Sequence, residues 1–226
     1  MNIHVITLFP EIFEPILSSS ILNKARAKKL IKINLINPRN FATDKRKTVD
    51  DKPYGGGAGM VLKVDVLYKA LSSINPKPYT ILLSASGKKY TQKEAKGLAK
   101  RKNIALICGH YEGVDARIEK YVDEIFSVGD YVLTGGEIPA MALIDSIARL
   151  IPNVISPKSP HEESFEKGLL EYPQFTRPEV YENAPVPKVL LGGNHEEIKK
   201  WRLKEAIKRT KKFRPDLLQA KSKWKE

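Results

Sequence analysis

Cysteine is nearly absent from this sequence, and long apolar runs are missing. Cys108 is the one cysteine among 226 residues, so no disulfide can form within the chain. The longest apolar stretch, 138–151, is interrupted by Pro139, Asp145 and Arg149, which argues against a transmembrane helix. The first residues carry neither the basic cluster nor the small-residue cleavage site of an export signal. We therefore expect a protein of a reducing, cytoplasmic compartment without a membrane partner.

Histidine is also scarce, and its spacing does not fit a metal site. The four histidines, at positions 4, 110, 161 and 195, lack the short intervals that metal ligands need. Cys108 lies in the apolar segment NIALIC, which favours a core residue over a nucleophile. The residues themselves therefore predict no metal ion.

Acidic residues are few relative to basic ones. The chain has 39 Lys and Arg against 26 Asp and Glu, a net charge of +13. After position 198, twelve basic residues stand against three acidic ones. This distribution favours a polyanionic partner, nucleic acid before membrane. A general surplus of solvated lysines is the alternative, and charge alone does not separate the two.

What the sequence does contain is a regular alternation of apolar and amphipathic segments. Strands are predicted at 3–9, 31–36, 79–85, 103–108 and 124–128. Helices are predicted at 20–30, 64–73, 91–101, 114–122 and 136–151. Ser20 and Thr91 are expected to cap two of these helices. The alternation indicates an α/β fold with a parallel sheet covered on both faces, in which ligands bind beyond the carboxyl ends of the strands.

The composition changes after Pro152, which indicates a second domain. We expect the α/β domain at 1–153, a polar linker or lid at 154–168 and a small helical domain at 169–226. A basic helix is predicted at 196–213, and we find no strand pattern in this part of the sequence.

Glycine is concentrated in loops. Segments 82–87, 107–117 and 127–141 place glycine just beyond predicted strands, without the lysine of a phosphate-binding loop. We expect these strand ends to bind a nucleoside or amino-acid-like ligand through backbone contacts, with Asp115 as a helix cap. A fourth segment, PYGGGAGM at 53–60, follows polar residues instead. Its glycines allow positive φ, so a shaped binding surface is favoured, with a flexible hairpin as the alternative.

Five segments carry a family resemblance: VDDKPYGGGAGM, GHYEGVD, SVGDYVLTGGEIPAM, YPQFTRP and LGGNHEEIKKWR. In this order they resemble the bacterial tRNA (guanine-N1)-methyltransferases, the TrmD family of SPOUT methyltransferases. The resemblance spans nearly the whole chain. It implies a deep trefoil knot at the C-terminal end of the α/β domain, and a homodimer whose active sites are built from both chains. It also implies S-adenosylmethionine as methyl donor, N1 of the guanosine just 3′ of the tRNA anticodon as acceptor, and a dependence on Mg²⁺.

The resemblance assigns binding residues to the glycine-rich loops. The donor-binding residues are Leu83, Ser84, Gly109, Tyr111, Glu112, Gly113, Ser127, Val128, Gly129, Asp130, Tyr131, Val132, Leu133, Gly135, Gly136 and Pro139. The acceptor-side residues are Asp50, Tyr54, Gly55, Gly56, Gly57, Gly59 and Met60. Ala85 departs from the family, which often has proline there.

The proposed chemistry requires a base and a cation. Guanine N1 must lose a proton as the methyl group arrives, and charge builds toward O6. The resemblance assigns these roles to Glu163, where the family usually has aspartate, and to Arg149. Glu162 and Glu171 remain alternatives for the base. For Arg149, the alternative is a charge that complements the helix dipole.

Two other functions stay open at this point. A related SPOUT enzyme acting on ribosomal RNA is one, although the domain containing YPQFTRP argues against it. A non-catalytic RNA-binding relative is the other, because glutamate replaces aspartate at position 163.

Overall fold

The computed structural model describes residues 1–155 and 163–219, which belong to two compact units, 1–155 and 156–226. The first unit contains a five-stranded sheet, and the second contains one long helix with shorter elements. The expected linker at 154–168 includes residues 156–162, which lie outside the described residues. Its boundaries therefore stay a prediction.

The sheet of the first unit is entirely parallel. The strands of this unit are β1 (Asn2–Ile6), β2 (Lys32–Ile36), β3 (Asp50–Asp51), β4 (Val61–Leu62), β5 (Tyr79–Lys89), β6 (Asn103–Cys108) and β7 (Glu124–Ser127). Its α-helices are α1 (Glu14–Leu17), α2 (Ser20–Ala27), α3 (Val64–Ser72), α4 (Gln92–Ala99) and α5 (Glu137–Ala148). The sheet order is β2-β1-β6-β5-β7, with β3 and β4 as a separate antiparallel pair. The prediction of a parallel α/β fold is confirmed.

The central strand β6 is apolar from Ile104 to Cys108 because both faces of the sheet are covered. On β6, Ile104, Leu106 and Cys108 belong to one core cluster, which includes α5. The intervening Ala105 and Ile107 belong to the other, which includes α3. This alternation is the period of two that a strand imposes on its side chains. Two covered faces turn it into one continuous apolar run in the sequence.

Burial also decides the chemistry of Cys108. The side chain is buried, and burial raises the pKa of its thiol, with the charge of Glu137 adding to the effect. A neutral buried thiol is a poor nucleophile. The prediction that Cys108 is a core residue is confirmed.

Several local predictions need correction. Segment 114–122 was expected to be an α-helix, but Ala116–Tyr121 is a 3₁₀ helix. Asp115 caps it as predicted, by accepting a hydrogen bond from the Arg117 N–H at 2.9 Å. Thr91 is confirmed as the cap of α4, accepting from the Lys93 N–H at 3.3 Å. Ser20 is not a cap, because it is the first residue of α2 and Ser19 holds the cap position.

Strand β5 is longer than expected. It was predicted to end at residue 85 but continues to Lys89, with a register shift beside β7. Leu83 and Lys88 both pair with Phe126, so the intervening residues bulge out of the ladder. A Cβ on Gly87 would lie 2.6 Å from the Phe126 backbone, which explains why the chain uses glycine where it returns to the sheet.

The second unit is mainly helical, but it is not free of strands. Its helices are α6 (Lys188–Leu191), α7 (His195–Phe213) and α8 (Asp216–Gln219). A short antiparallel pair, β8 (Val180–Tyr181) and β9 (Ala184–Pro185), corrects the expectation that no strand occurs here. Asn194 caps α7 by accepting a hydrogen bond from the Glu196 N–H at 3.1 Å. In the two described ranges, we find no helix that is both long and apolar enough to cross a bilayer.

Candidate functional site

A cavity of about 230 Å³ opens at the carboxyl ends of β6 and β7, beside the bulge of β5. It is lined by Leu83, Ser84, Ala85, Gly109, His110, Tyr111, Glu112, Gly113, Phe126, Ser127, Val128, Gly129, Tyr131, Val132, Leu133, Thr134, Gly135, Gly136 and Pro139. All the residues expected to bind the donor are in this set except Asp130. The three glycine-bearing segments thus meet at one cavity, but segment 82–87 contributes the bulge of β5 and not a strand end. Their role in binding a donor stays a prediction.

Two loops form most of the cavity wall and are bonded to each other. The Gly136 N–H donates to the Gly109 carbonyl at 2.7 Å, and His110 forms an antiparallel bridge with Gly135. A Cβ on Gly136 would lie 2.6 Å from Cys108 Cα and 2.9 Å from the Gly109 nitrogen. Both obstacles are backbone atoms, so a larger residue cannot be accommodated by a side-chain movement. The glycine at 136 is therefore required by lack of space.

A buried serine holds the turn at the end of β7. The Ser127 hydroxyl donates to the Gly129 carbonyl at 2.9 Å and accepts from the Gly129 N–H at 3.3 Å. Beyond this turn, Tyr131, Val132 and Leu133 are exposed, and Val132 keeps 90 % of its surface accessible. The cavity therefore has a rigid base and an apolar, open rim.

The glycine-rich strip at 53–60 lies beside this cavity. Its glycines adopt positive φ at Gly55, Gly56, Gly57 and Gly59, and Tyr54 is fully exposed. The strip is tied to the cavity loop because the Glu112 N–H donates to the Met60 carbonyl at 3.0 Å. Asp50, another expected acceptor-side residue, pairs with Leu62 in the β3–β4 ladder. The expected donor and acceptor residues therefore adjoin one another.

Glu112 stands where the cavity and the strip meet. A Cβ on Gly59 would collide with the Glu112 side chain, so the carboxylate reaches the glycine strip. Glu112 also lines the cavity. The residue thus presents a negative charge between the two surfaces.

Sequence reasoning missed a buried polar contact under the cavity. Glu137 accepts a hydrogen bond from the Thr7 hydroxyl at 2.8 Å, and its second carboxylate oxygen is 3.7 Å from His110 Nδ1. Glu137 and Thr7 are only 4 % and 1 % exposed. Position 137 offered only a weak signal of such a contact, because an acidic residue in the first turn of a helix is usually explained by its interaction with the helix dipole. Thr7 carried none.

The two expected catalytic residues belong to different units. Arg149 is half-buried and follows α5, where its N–H donates to the Asp145 carbonyl at 3.2 Å. Glu163 and Glu171 both line a cavity of about 340 Å³ in the second unit. Lys199 and Arg202 line the same cavity. Glu162 lies outside the described residues. The choice of base, and its pairing with Arg149, stay predictions.

Metal ligands are not grouped in the described parts of the chain. Within 1–155 and 163–219, no set of three or more His, Cys, Asp and Glu side chains is close enough to hold an ion. The expectation of Mg²⁺ dependence gains no support from these side chains.

Comparison with known proteins identifies close relatives. The family described as "tRNA (Guanine-1)-methyltransferase TrmD" matches residues 1–220. A protein of Bacillus pumilus named tRNA (guanine-N(1)-)-methyltransferase is 51 % identical over 225 residues, covering 96 % of this chain and 92 % of that protein. Proteins of the same name from Dictyoglomus turgidum and Bacillus subtilis are each 50 % identical, over 98 % and 96 % of this chain and 91 % and 92 % of their own lengths.

Proposed function

We propose that this chain, which belongs to the tRNA (guanine-1)-methyltransferase family TrmD, transfers a methyl group to N1 of a guanine in tRNA. The observation that carries the proposal is the match along the whole chain to enzymes of that name at about half identity. The match also covers more than nine-tenths of the length of each of those three relatives.

The methyl donor is S-adenosylmethionine, bound in the cavity at the ends of β6 and β7, beside the bulge of β5. The donor supplies a transferable methyl group on a positively charged sulfur. The cavity suits such a ligand because it combines apolar side chains with the backbone groups of the Gly109 and Gly136 loops. It also presents the Glu112 carboxylate, and a negative wall complements a cationic ligand.

The acceptor guanine is the one at position 37, just 3′ of the anticodon. A base in a folded RNA must be splayed out before its edge can react. The glycine strip beside the cavity offers exposed backbone and the exposed Tyr54 ring for such a base. Glu163 then accepts the N1 proton, and Arg149 stabilises the charge that builds toward O6.

The phosphates of the tRNA arm bind to helix α7. Lys200, Lys204, Lys208 and Lys212 recur every four residues and are all exposed, so they form a stripe along one face. The helical rise places neighbours in this stripe about 6 Å apart along the axis. Thr210 lies on another face, where its buried hydroxyl accepts from the Leu170 N–H at 2.9 Å. The helix thus packs with one side and presents cations with the other.

The active enzyme is a cytoplasmic homodimer with composite active sites and a knotted α/β domain. The open apolar rim of the cavity supports the dimer, because Tyr131, Val132 and Leu133 are all exposed there. The close backbone approaches at Gly87 and Gly136 support a chain that threads tightly past itself. The same proposal assigns donor binding to the α/β unit and tRNA binding to the unit at 169–226.

One experiment tests the reaction and its target together. Purified protein is incubated with methyl-labelled S-adenosylmethionine and, in separate reactions, with ribosomal RNA or with tRNA transcripts carrying either guanosine or adenosine at position 37, and the modified nucleotide is mapped. We expect label at N1 of guanosine 37 and none in the adenosine transcript. Methylation of ribosomal RNA instead, or RNA binding by a protein that binds no donor, would contradict the proposal and favour one of the two alternative functions.

A further inference from the structure

A buried carboxylate lies directly behind the cavity wall. Glu137 is the first residue of α5 and follows Gly135 and Gly136, which line the cavity. Burying a carboxylate is costly unless hydrogen bonds compensate for the lost water. A core that needed only volume at this position would use an apolar side chain. The retained charge therefore calls for a specific explanation.

A hydrogen bond from Thr7 anchors this carboxylate. The Phe9 N–H donates to the Thr7 hydroxyl oxygen at 3.0 Å, and the Thr7 hydroxyl donates to Glu137 at 2.8 Å. Thr7 directly follows β1, which lies between β2 and β6 in the sheet. The carboxylate is therefore anchored to the core. The partial positive charge at the start of α5 also stabilises the negative charge there.

The same carboxylate touches both loops of the cavity wall. Its second oxygen is 3.7 Å from His110 Nδ1, in the loop that follows β6. The His110 ring lies between the rings of Phe9 and Tyr111, at centroid distances of 4.7 and 5.0 Å. A Cβ on Gly135 would collide with the carboxylate and lie 2.6 Å from His110 Nδ1. Movement of Glu137 would therefore shift both of these loops.

We infer that Glu137 is a positioning residue for methyl-donor binding: its carboxylate, anchored by Thr7, fixes the Gly135–Gly136 turn and His110 in the arrangement that receives the donor. The inference rests on the proposed function of the cavity. It predicts that loss of the anchor weakens donor binding and leaves tRNA binding intact.

The test compares five variants with the wild-type protein: Glu137→Gln, Thr7→Val, the double variant of these two, Thr7→Ser and Thr80→Val. Glu137→Gln keeps the size and one acceptor oxygen but removes the charge. Thr7→Val keeps the shape and removes the hydroxyl. Thr80→Val is the matched control, because Thr80 is equally buried in the same sheet, and its hydroxyl donates to the Pro78 carbonyl at the opposite end of β5. Donor affinity is measured by calorimetry with S-adenosylmethionine, and KM and kcat are measured for both substrates.

We expect about a tenfold rise in the donor Kd and KM for Glu137→Gln and for Thr7→Val, as for loss of a hydrogen bond to a charged group. The tRNA KM and the kcat at saturating donor should stay near wild type. Thr7→Ser should restore donor affinity because it restores the hydroxyl. The double variant should be no weaker than Glu137→Gln alone if the two residues act as one unit.

Two results would overturn the inference. One is wild-type donor affinity in Glu137→Gln and Thr7→Val. The other is an equal loss of affinity in Thr80→Val, which would reduce the effect to general destabilisation. If Glu137→Gln does not fold, the comparison of Thr7→Val with Thr7→Ser decides. Failure of the proposed function is distinguishable, since the wild-type protein itself would then bind no donor.

Discussion

Substitution of Gly136 by alanine tests whether position 136 in the cavity wall has room for a side chain. The new methyl group would lie 2.6 Å from Cys108 Cα, 2.9 Å from the Gly109 nitrogen and 3.1 Å from Cys108 Cβ. These atoms belong to β6 and the loop directly after it, in the centre of the sheet. The obstacles cannot rotate away, so relief requires the start of α5 to move off the sheet.

The loss of stability in this variant follows from the contacts that a shift of α5 would break. Overpacking in a close-packed core typically costs 1–3 kcal/mol, and here the shift would also stretch the 2.7 Å hydrogen bond from the Gly136 N–H to Gly109. We therefore expect a loss of about 2 kcal/mol or more, which lowers the melting temperature of a domain of this size by roughly 4–8 °C. Donor affinity should fall with it, because Gly109 and Gly136 both line the cavity.

The assay is thermal unfolding together with donor calorimetry on the wild-type protein and two alanine variants. Gly97→Ala is the matched control, because Gly97 lies within α4, and a Cβ there would meet no atom within 4 Å. That change should stabilise the protein slightly, by about 0.5–1 kcal/mol, since alanine favours the helix. A Gly136→Ala protein with wild-type melting temperature and donor affinity would refute the reasoning.

Three further predictions concern the base, the RNA surface and alkaline pH. Glu163→Gln should lower the single-turnover methyl-transfer rate by 10²–10⁴-fold with donor affinity unchanged, and Glu163→Asp should recover part of it; near-normal transfer by the glutamine variant would exclude this base. Replacing Lys200, Lys204 and Lys208 by glutamine should weaken tRNA binding and reduce the slope of log affinity against log salt by about 2 to 3, and an unchanged slope would show that these lysines contact no phosphate. Burial raises the pKa of Tyr90 from 10.0 to about 12, so the folded state holds this proton more tightly than the unfolded state. Stability should therefore fall as pH rises from 10 toward 12, and Tyr90→Phe should flatten the decline in denaturation curves; an equal decline in both proteins would contradict the assignment.

The sequence predicted the sheet well because its strands are covered on both faces. NIALIC is apolar apart from Asn103, and YTILLSA contains the apolar run 81–83; that pattern follows from the two core clusters that receive alternate side chains. It failed where local pattern does not decide the outcome. The two-residue strands β8 and β9 are too short to impose a period, and the 3₁₀ helix at Ala116–Tyr121 shares its short-range spacing with an α-helix.

The candidate site was predictable only where it is built from backbone. Glycine after a strand is visible in a sequence, and the cavity lies where those glycines converge. The contact between Thr7 and Glu137 joins residues 130 positions apart, and nothing local marks either one as a partner of the other. Long-range side-chain pairing follows from the topology of the sheet, which brings the end of β1 beside the start of α5. Local pattern cannot contain that information.

The glycines of the site are required for two different physical reasons, which cannot be told apart in the sequence. In the strip at 53–60, Gly55 and Gly56 adopt positive φ and have open space around them, so glycine is needed there for conformation alone. In the cavity wall, Gly136 has an ordinary φ of −79° and no room for a side chain. The first kind leaves an accessible backbone, which the proposed function assigns to the splayed base. The second kind fixes one strand end against another and gives the cavity its rigid base. A transferase that must admit a large RNA and hold a small donor needs both kinds side by side, and Glu112 lies where they meet.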